Sequence, residues 1–317
     1  MRNLDAESLA KHLTIAECVQ CVRDALVAVS EGDAIQPLRT IMPLGHGNGM
    51  GSMPGALINS RVHGIKLTNL YPGNPAQGRS SHLGLMVVFD NATGECIGIL
   101  DAGLLTAMRT AAASVVATQA LARPHPRVFT ILGAGEQAEW HVRAFRETFD
   151  ATEIRIWARN RHKAESFAKA AGDDLFVVDD IPSAIAGADV VTTVTGSREA
   201  FLAGELLQAG QHVNLVGASM ADAREIDDEG VAIGRLFTDS RTSAEHQAGE
   251  LLGAIESGRV GRDHLLGEVG EVLTGRIAGR LDAADITIFK SHGVIAEDLA
   301  VAAYVMNKCK ARYRCEG

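Results

Sequence analysis

The sequence predicts an α/β protein in which a doubly wound parallel-sheet domain is inserted into an α+β domain. Three observations lead to this fold class. Short apolar strands alternate with helical stretches in the middle of the chain, which is typical of a parallel sheet. The residues before this region predict helices followed by a mainly antiparallel sheet. One more helix follows the last strand, and we expect it to return to the first domain.

The first part of the chain is predicted to form helices and then antiparallel strands. Residues 6–30 have the apolar spacing of two helical segments, whereas the glycine-rich residues 46–51 are expected to form a loop. Turn residues at 91–95 between two apolar runs predict a β-hairpin. Strands are therefore expected at 39–43, 56–59, 64–70, 85–90 and 96–100.

A long alanine-rich stretch leads into the second part of the chain. Residues 104–122 contain neither proline nor glycine and predict a helix. Pro124 and Pro126 end this helix and mark a domain boundary. Beyond them, buried strands are expected at 127–132, 154–157, 175–178, 190–194, 213–216 and 286–289, and the last helix at 297–312.

A glycine-rich turn lies between the first of these strands and the helix that follows it. It has the pattern G-x-G-x-x-A and consists of Gly133, Ala134, Gly135, Glu136, Gln137 and Ala138. The first glycine allows a tight turn, the second lets the backbone approach a pyrophosphate, and the small sixth residue lets helix pack on strand. The helix N-terminus then offers N–H groups to the phosphates. The pattern predicts a Rossmann domain that binds a dinucleotide.

The end of the second strand of this domain bears on the choice between NAD and NADP. An acidic residue there would bind the ribose 2′-hydroxyl of NAD. The sequence instead has Arg159, Asn160 and Arg161, and arginine binds phosphate through forked hydrogen bonds. NADP(H) is therefore the expected cofactor, with NAD(H) left open.

Composition and charge argue against nucleic acid and membrane partners. The net charge is −9, the start of the chain does not resemble a signal peptide, and no apolar run reaches the length expected of a membrane span. We therefore expect a cytoplasmic protein, and the odd, scattered set of five cysteines fits a reducing compartment. Cys18 and Cys21 form a C-x-x-C pair that is expected to share a helix face, and no metal site is expected.

Six segments, read in order along the chain, resemble the ornithine cyclodeaminase/mu-crystallin family, and in particular its ketimine and imino-acid reductase members. They are residues 64–69, 85–100, 105–112, 213–218, 267–272 and 288–291. The resemblance implies a Rossmann domain at 123–292, inserted into a substrate-binding and dimerisation domain formed by 1–122 and 293–317. It also implies a homodimer and a substrate that is an amino acid or its imine.

The resemblance assigns roles to several side chains. Lys66 matches the family lysine that contacts the substrate and is a candidate catalytic acid/base, and Arg109 matches an arginine that can clamp a carboxylate. Arg39 lies where the family has another carboxylate ligand. Ser81 matches a small hydroxyl residue near the substrate, and His82 follows it as in mu-crystallin-like members.

Further residues are expected to bind the cofactor. Beyond the glycine turn and the 159–161 segment, they are Arg109, Thr110, Thr193, Val194, Thr195, Val216, Gly217, Ala218, Ser219, Ser291, His292 and Gly293.

Two of these positions depart from the family pattern. Ser219 stands where cyclodeaminases carry an aspartate, and a serine cannot act as a carboxylate base. Asp222 lies three residues later and could replace that aspartate only if the loop changed shape. His292 stands where many relatives have an aliphatic residue. It either binds a polar group of the substrate or has a structural role.

The expected function is reduction of a small imino acid to an L-amino acid by NAD(P)H, or the reverse amino-acid dehydrogenase reaction. One alternative is a cyclodeaminase-type lyase that recycles its NAD internally. The other is a non-catalytic NADP-binding protein, against which the presence of Lys66 and Arg109 counts. The substrate side chain stays open between cyclic, aliphatic and dicarboxylic imines.

Overall fold

The computed structural model describes residues 2–172 and 174–315, and the side chains of Pro75, His82 and residues 310–315 lie outside that description. The chain divides into two compact units. Unit 1 consists of Met1–Arg109 and Val294–Gly317, and unit 2 is Thr110–Gly293. The first boundary between the units therefore lies inside the helix Ala102–Leu121. The sequence predicted this boundary at 122/123, after the end of the helix.

The regular elements are numbered in chain order. The helices are α1 (Ala6–His12), α2 (Ile15–Ser30), α3 (Ala102–Leu121), α4 (Glu136–Thr148), α5 (Arg161–Ala171), α6 (Ile181–Ile185), α7 (Asp228–Ile233), α8 (Arg241–Gln247), α9 (Gly249–Glu256), α10 (Val269–Leu273) and α11 (Ile295–Cys315). The strands are β1 (Arg2–Leu4), β2 (Ala34–Ile35), β3 (Thr40–Gly45), β4 (Asn48–Leu57), β5 (Val62–Leu70), β6 (His82–Asp90), β7 (Cys96–Asp101), β8 (Val128–Leu132), β9 (Glu153–Trp157), β10 (Leu175–Val177), β11 (Val190–Thr193), β12 (His212–Leu215), β13 (Arg235–Thr238), β14 (Leu265–Glu268) and β15 (Thr287–Lys290).

Unit 1 is built on a seven-stranded sheet with the order β1-β7-β6-β5-β4-β2, in which β3 also pairs with β4. All its ladders are antiparallel except that of β1 with β7. The last helix, α11, packs on this sheet and on α2. Glycine permits the close approach, since a Cβ at Gly55 would lie 2.4 Å from Ile295 Cγ2 and one at Gly98 would lie 2.4 Å from Met306 Sδ.

The glycine-rich segment 46–51 is not a loop, so that prediction was wrong. Only His46 and Gly47 lie between β3 and β4, and β4 begins at Asn48. At Gly51 the neighbouring strand leaves little room for a side chain. A Cβ at Gly51 would lie 2.9 Å from Thr68 Oγ1 on the adjacent strand β5.

Unit 2 contains an eight-stranded parallel sheet with the order β10-β9-β8-β11-β12-β15-β13-β14. The strand order reverses between β8 and β11, which is the point where a dinucleotide binds in a doubly wound fold. The predicted fold class, a Rossmann domain inserted in an α+β domain, is confirmed. The short strands β13 and β14 were not predicted.

Helix α3 runs from unit 1 into unit 2. By length and composition this helix is apolar enough to cross a membrane, which the sequence analysis did not expect, but 78% of its most apolar window is buried inside the protein. Burial of nearly the whole surface of a helix calls for this composition without any lipid. The helix is therefore explained as a core element.

The two cysteines of the C-x-x-C pair lie on one helix, as their spacing predicted. Cys18 and Cys21 both lie on α2, with Cys18 buried, and the cysteines of the described residues are free. Within the described ranges, no group of three or more His, Cys, Asp or Glu side chains is arranged to hold a metal ion.

Candidate active site

The turn between β8 and α4 has the geometry that a pyrophosphate site requires. Gly133 has φ +139°, and a Cβ there would lie 2.8 Å from Val194 O, so only glycine fits. A Cβ at Gly135 would meet nothing within 4 Å, and this residue caps α4 without any side-chain hydrogen bond. The turn and the N-terminus of α4 therefore fit a phosphate group, while Ala138 is buried.

Polar side chains of α4 and α3 next to this turn support its assignment as a pyrophosphate site. Gln137 Oε1 is buried and has no hydrogen-bond partner among the described residues. Burial lowers the pKa of His141 to about 4, so its ring is neutral near pH 7. The ring lies 2.7 Å from the Gln137 carbonyl through Nδ1 and 2.9 Å from the Ser114 hydroxyl through Nε2. Ser114 of α3 is thus linked to the turn through His141. The residues of the turn fit a bound dinucleotide.

The three residues expected to select the cofactor have different surroundings. The Asn160 side chain caps α5 by accepting a hydrogen bond from Lys163 N at 3.2 Å. Arg161 is ion-paired with Glu165 and Asp179. Arg159 is exposed and forms no ion pair or side-chain hydrogen bond with the described part of the chain. Of these three side chains, only that of Arg159 thus forms no hydrogen bond or ion pair with the described residues.

The loops after β11 and β12 are held together by one buried carboxylate, Glu225. It accepts hydrogen bonds from Thr193 and Thr195 after the first strand and from Gly217 and Ala218 after the second. The predicted cofactor residues Thr193, Thr195, Gly217 and Ala218 are therefore brought together at the carboxyl edge of the sheet.

A second buried charge contacts the same loop. Lys290 at the end of β15 donates to Ala218 O and forms an ion pair with Glu250 at 3.0 Å. Ser219 follows Ala218 directly and is partly buried. Asp222, by contrast, is exposed and pairs with Arg198, so it does not take the place of the missing aspartate.

His292 is held by an acidic residue of its own unit. Its Nδ1 lies 3.2 Å from Asp239 Oδ1, and Asp239 Oδ2 accepts from the backbone N–H groups of His292 and Gly293 at 2.6 and 2.7 Å. Burial alone would raise the pKa of Asp239, but these hydrogen bonds and the charge of His292 lower it below its usual value. The histidine side chain is buried, which favours the structural role, and a contact with substrate stays a prediction.

Unit 1 carries a buried cluster of two cations and two carboxylates. Lys66 Nζ donates to Asp298 Oδ2 at 2.6 Å, and Arg109 Nε donates to Asp298 Oδ1 at 3.1 Å. Arg109 Nη1 also donates to Glu297 Oε2 at 3.1 Å. Lys66 comes from β5, Arg109 from α3 and both acids from the first turn of α11, so three elements of the unit meet here. Arg109 is therefore not a surface charge.

The environment of Lys66 makes its proton easier to remove. Burial lowers its pKa, Asp298 opposes this, and the charges of Arg109 and Arg39 add to the decrease, so the pKa is lowered to about 8. A lysine with this pKa is mostly protonated at pH 7 and can release its proton during a reaction.

The other predicted substrate residues lie around this unit's sheet. Arg39 lies one residue before β3 and is partly buried. Ser81 precedes β6 and is also partly buried, and its carbonyl accepts from Tyr71 N at 2.8 Å. His82 begins β6, but its side chain lies outside the described residues.

Comparison with known proteins decides the family. The family model "Ornithine cyclodeaminase/mu-crystallin family" matches residues 3–312. The chain belongs to the ornithine cyclodeaminase/mu-crystallin family. The resemblance inferred from the sequence motifs is thereby confirmed.

Three members of the family illustrate the similarity. "Ketimine reductase mu-crystallin" of Mus musculus is 36% identical over 307 residues, covering 95% of both chains. The Thermococcus litoralis Δ1-pyrroline-2-carboxylate reductase, solved with NADH and L-proline, has 30% identity and a TM-score of 0.94 over 98% of both chains. An archaeal alanine dehydrogenase dimer with bound NAD has 28% identity and a TM-score of 0.90, covering 98% of this chain and 96% of that one.

Sequence reasoning missed the acidic partners of the site in this family member. Glu297 and Asp298 carried a signal, because they are two acids in the first half of a helix that is otherwise apolar up to Met306, where unpaired charges would be costly. Glu225, Asp239 and Glu250 carried none, because only the fold shows that these three acids are buried.

Proposed function

We propose that this chain is an NAD(P)H-dependent reductase of small imino acids, which it converts to L-amino acids or re-forms in the reverse direction. The observation that carries the proposal is the buried Lys66, whose pKa is lowered to about 8 beside Asp298 and Arg109. A cation that keeps its proton at pH 7 yet releases it readily suits a substrate whose nitrogen must be protonated.

The residues of the chain account for all steps but one. The nicotinamide, when bound, supplies the hydride. Arg109 presents a guanidinium suited to a substrate carboxylate, although that carboxylate must compete with Asp298 and Glu297. Lys66 Nζ holds the proton that keeps the substrate nitrogen charged, and Asp298 holds the Lys66 ammonium in place. The electron-poor C=N carbon then accepts the hydride more readily.

Family relatives and Ser219 support a reductase over a lyase. The three relatives described above are named a ketimine reductase, a pyrroline-2-carboxylate reductase and an alanine dehydrogenase, and all three names denote oxidoreductases acting on C=N or C–N bonds. Ser219 provides no carboxylate base for the second half of a cyclodeaminase reaction, and the exposed Asp222 pairs with Arg198 instead.

We further infer that NADPH is the preferred cofactor. The segment after β9 contains no acid that would bind a ribose 2′-hydroxyl, and the exposed Arg159 has no partner in the described ranges. Its guanidinium suits a 2′-phosphate. The two solved relatives carry NADH and NAD, so this preference would distinguish the present chain from them.

We also infer a homodimer formed through the sheet of unit 1. Large apolar side chains are exposed along β3 and β6, among them Met42, Leu83 and Leu85. An apolar surface of this kind usually marks an interface. The related alanine dehydrogenase is described as a dimer, and a second copy of this chain is the occupant we propose.

The test of the proposed activity uses two variants of Lys66 and a panel of imines. Cyclic imino acids, and 2-oxo acids mixed with ammonia or methylamine, are assayed by oxidation of NADPH and NADH. Lys66→Met removes the proton donor, and Lys66→Arg keeps the cation but has a pKa too high to release a proton. Both should bind cofactor and lower turnover by at least about a hundredfold, the usual scale for a lost general acid.

The pH dependence and one control sharpen this test. Because the protonated Lys66 is the active form, kcat/KM of the native enzyme should fall above a pH of about 8. Lys11→Met, which removes an exposed lysine paired with Glu7, should leave turnover unchanged. Full activity in folded Lys66→Arg would contradict proton donation. Ammonia release without net oxidation of the nicotinamide would indicate the lyase, and cofactor binding without turnover would indicate a binding protein.

A further inference from the structure

Glu225 is a wholly buried carboxylate that no step of the proposed reaction uses. It lies between β12 and α7 in unit 2, and its exposed fraction is 0%. Because β11 and β12 are adjacent parallel strands, the loops that follow them emerge at the same edge of the sheet. The Glu225 side chain reaches both of these loops.

Five donors converge on the two oxygens of Glu225. Oε1 accepts from Thr195 N at 2.8 Å and Thr195 Oγ1 at 2.7 Å. Oε2 accepts from Thr193 Oγ1 at 2.7 Å, Gly217 N at 2.7 Å and Ala218 N at 3.3 Å. A buried carboxylate is stable only when its lone pairs are satisfied in this way, so the two loops and the carboxylate depend on one another.

The first of these loops borders the glycine turn. Val194 lies between Thr193 and Thr195, and its carbonyl oxygen and Cγ2 each lie 2.8 Å from the place where a Cβ of Gly133 would be. A shift of Val194 would therefore push directly on the turn. Glu225 binds Thr193 and Thr195, on both sides of Val194, and so fixes the position of the residue against which Gly133 packs.

The second loop is held from both sides. Glu225 accepts from the N–H of Ala218, while Lys290 donates to the carbonyl of the same residue. Lys290 is paired with Glu250 at 3.0 Å, and Glu250 also accepts from the backbone N–H of Glu225 at 3.4 Å. The N–H and the carbonyl of Ala218 are thus both bound to buried charged side chains, which restrains this loop.

We propose that Glu225 is a positioning residue for the dinucleotide: it holds the loops at 193–195 and 216–218 in their binding arrangement before the cofactor arrives. Preformed loops raise affinity because binding does not have to order them. The proposal rests on the cofactor assignment made under the proposed function, and it gives a role to a residue that acts through the loops rather than on the reacting atoms.

The test is Glu225→Gln, which keeps the size of the side chain but turns an NH2 group toward donors. Hydrogen exchange at the amides of Thr195, Gly217 and Ala218 should become at least about tenfold faster, the scale of a lost charged hydrogen bond. The Kd for NAD(P)H, measured by nucleotide fluorescence, should rise at least about tenfold. The KM for cofactor should rise while kcat at saturating cofactor changes little, because the reacting groups are untouched.

A carboxylate at the opposite edge of the same sheet is the matched control. Asp189 accepts from the backbone N–H groups of Arg127 and Val128 at 2.8 and 3.0 Å, so Asp189→Asn removes a comparable anchor before β11. This variant should lose stability but keep the cofactor Kd. If Glu225→Gln is too unstable to purify, Thr193→Val removes one donor alone and should raise the Kd in the same direction.

The outcomes separate this proposal from the proposed activity. Native Kd and native exchange in folded Glu225→Gln would overturn the positioning role, as would an equal rise in Kd for Asp189→Asn. Cofactor binding without imine reduction by the native protein would overturn only the proposed activity, and the binding and exchange measurements would still decide the role of Glu225. A native protein that binds no nicotinamide cofactor would overturn both.

Discussion

Asp298 neutralises two buried cations at once, although it lies 232 positions after Lys66 in the chain. Its two oxygens accept from Lys66 and Arg109, and the side chain of Asp298 has an exposed fraction of 0%. Removing one member of a buried charge cluster leaves its partners uncompensated, which is costlier than losing an exposed pair. The stability of unit 1 and the acidity of Lys66 therefore depend on the same carboxylate.

We expect Asp298→Asn to alter both properties. Loss of the charge should lower the free energy of unfolding by about 3–5 kcal/mol, the usual effect of breaking a buried ion pair. Asp298 raises the pKa of Lys66 against the effect of burial, so its removal should move that pKa below about 8. The alkaline limb of kcat/KM should then shift to lower pH. Chemical denaturation and a pH–rate profile measure the two effects.

The control for this prediction is an exposed pair. Glu7→Gln removes the partner of Lys11 on the surface of α1 and should change stability by about 1 kcal/mol or less. An unchanged pH profile in active Asp298→Asn would show that the alkaline limb does not belong to Lys66.

Arg159 and Arg161 are expected to differ in their effect on cofactor choice. Arg159→Ala should reduce kcat/KM for NADPH by about tenfold to a hundredfold, because a charge-assisted hydrogen bond to phosphate contributes about 1.5–3 kcal/mol. Arg161→Ala should have a smaller effect, since Glu165 and Asp179 already engage that guanidinium. The values for NADH should change little in both variants. A native preference for NADH that survives both substitutions would overturn the NADPH proposal.

At the scale of elements, the β8–α4 turn uses its two glycines for different purposes. Gly133 is required by the backbone, because its φ is +139° and Val194 blocks a Cβ. Gly135 is not required by the fold, because a Cβ there would enter open space. The space in front of Gly135 is therefore left free for a ligand.

Alanine substitutions should separate these two roles. Gly133→Ala should lower the melting temperature, because a side chain at this φ is strained and collides with Val194. Gly135→Ala should melt like the native protein but weaken NAD(P)H binding, since its methyl group would occupy the approach to the pyrophosphate. Calorimetry and cofactor titration measure the two effects. Native cofactor affinity in Gly135→Ala would place the pyrophosphate elsewhere.

Local patterns predicted most elements, and the exceptions have physical causes. The alanine-rich stretch and the apolar runs carry short-range signals, so α3 and the strands β8 to β12 were found within a residue or two. Segment 46–51 was misread because glycine usually marks a turn, whereas here it makes room for Thr68. Strands β13 and β14 were missed because a charged residue, Arg235 at the start of one and Glu268 at the end of the other, shortens their apolar run.

The candidate site was predicted less completely than the fold. Lys66 stood out as a charge in an apolar strand, and the structure places it in a buried cluster as such a position requires. Its partners Glu297 and Asp298 were not identified, because ion pairs between distant segments leave no trace in spacing. Asn160 was taken for a cofactor ligand, whereas its side chain caps α5. Asparagine favours helix caps strongly, so the sequence also carried a signal for this cap, and a contact of Asn160 with the cofactor stays a prediction.

At the scale of the whole molecule, the exposed apolar face of unit 1 bears on assembly. Leu85 is 49% exposed and lies opposite Leu67 of the neighbouring strand, while Leu83 projects to the same face two residues earlier. Met42 of β3 is also 49% exposed. Charged residues on this face should therefore prevent association of two copies.

We expect the native chain of 33.5 kDa to be a dimer at micromolar concentration and the double variant Met42→Glu, Leu85→Glu to be a monomer. Light scattering coupled to size-exclusion chromatography measures the mass. Leu281→Glu alters a 67% exposed leucine of unit 2 and should leave the dimer intact. A native monomer, or a double variant that stays dimeric, would contradict an interface on this sheet.

The split of unit 1 into two chain segments sets the order in which the protein can be completed during synthesis. Lys66 and Arg109 leave the ribosome early, whereas Glu297 and Asp298 follow only after the whole of Thr110–Gly293 has been translated. Until then the two cations lack these two carboxylates, and the inner face of the sheet has no α11 to cover it. Unit 2 is continuous and is free to fold as it emerges. We therefore expect the nascent protein to acquire its nucleotide-binding half first, and a chain that stops before α11 would lack the carboxylates that pair with Lys66 and Arg109 in the complete unit.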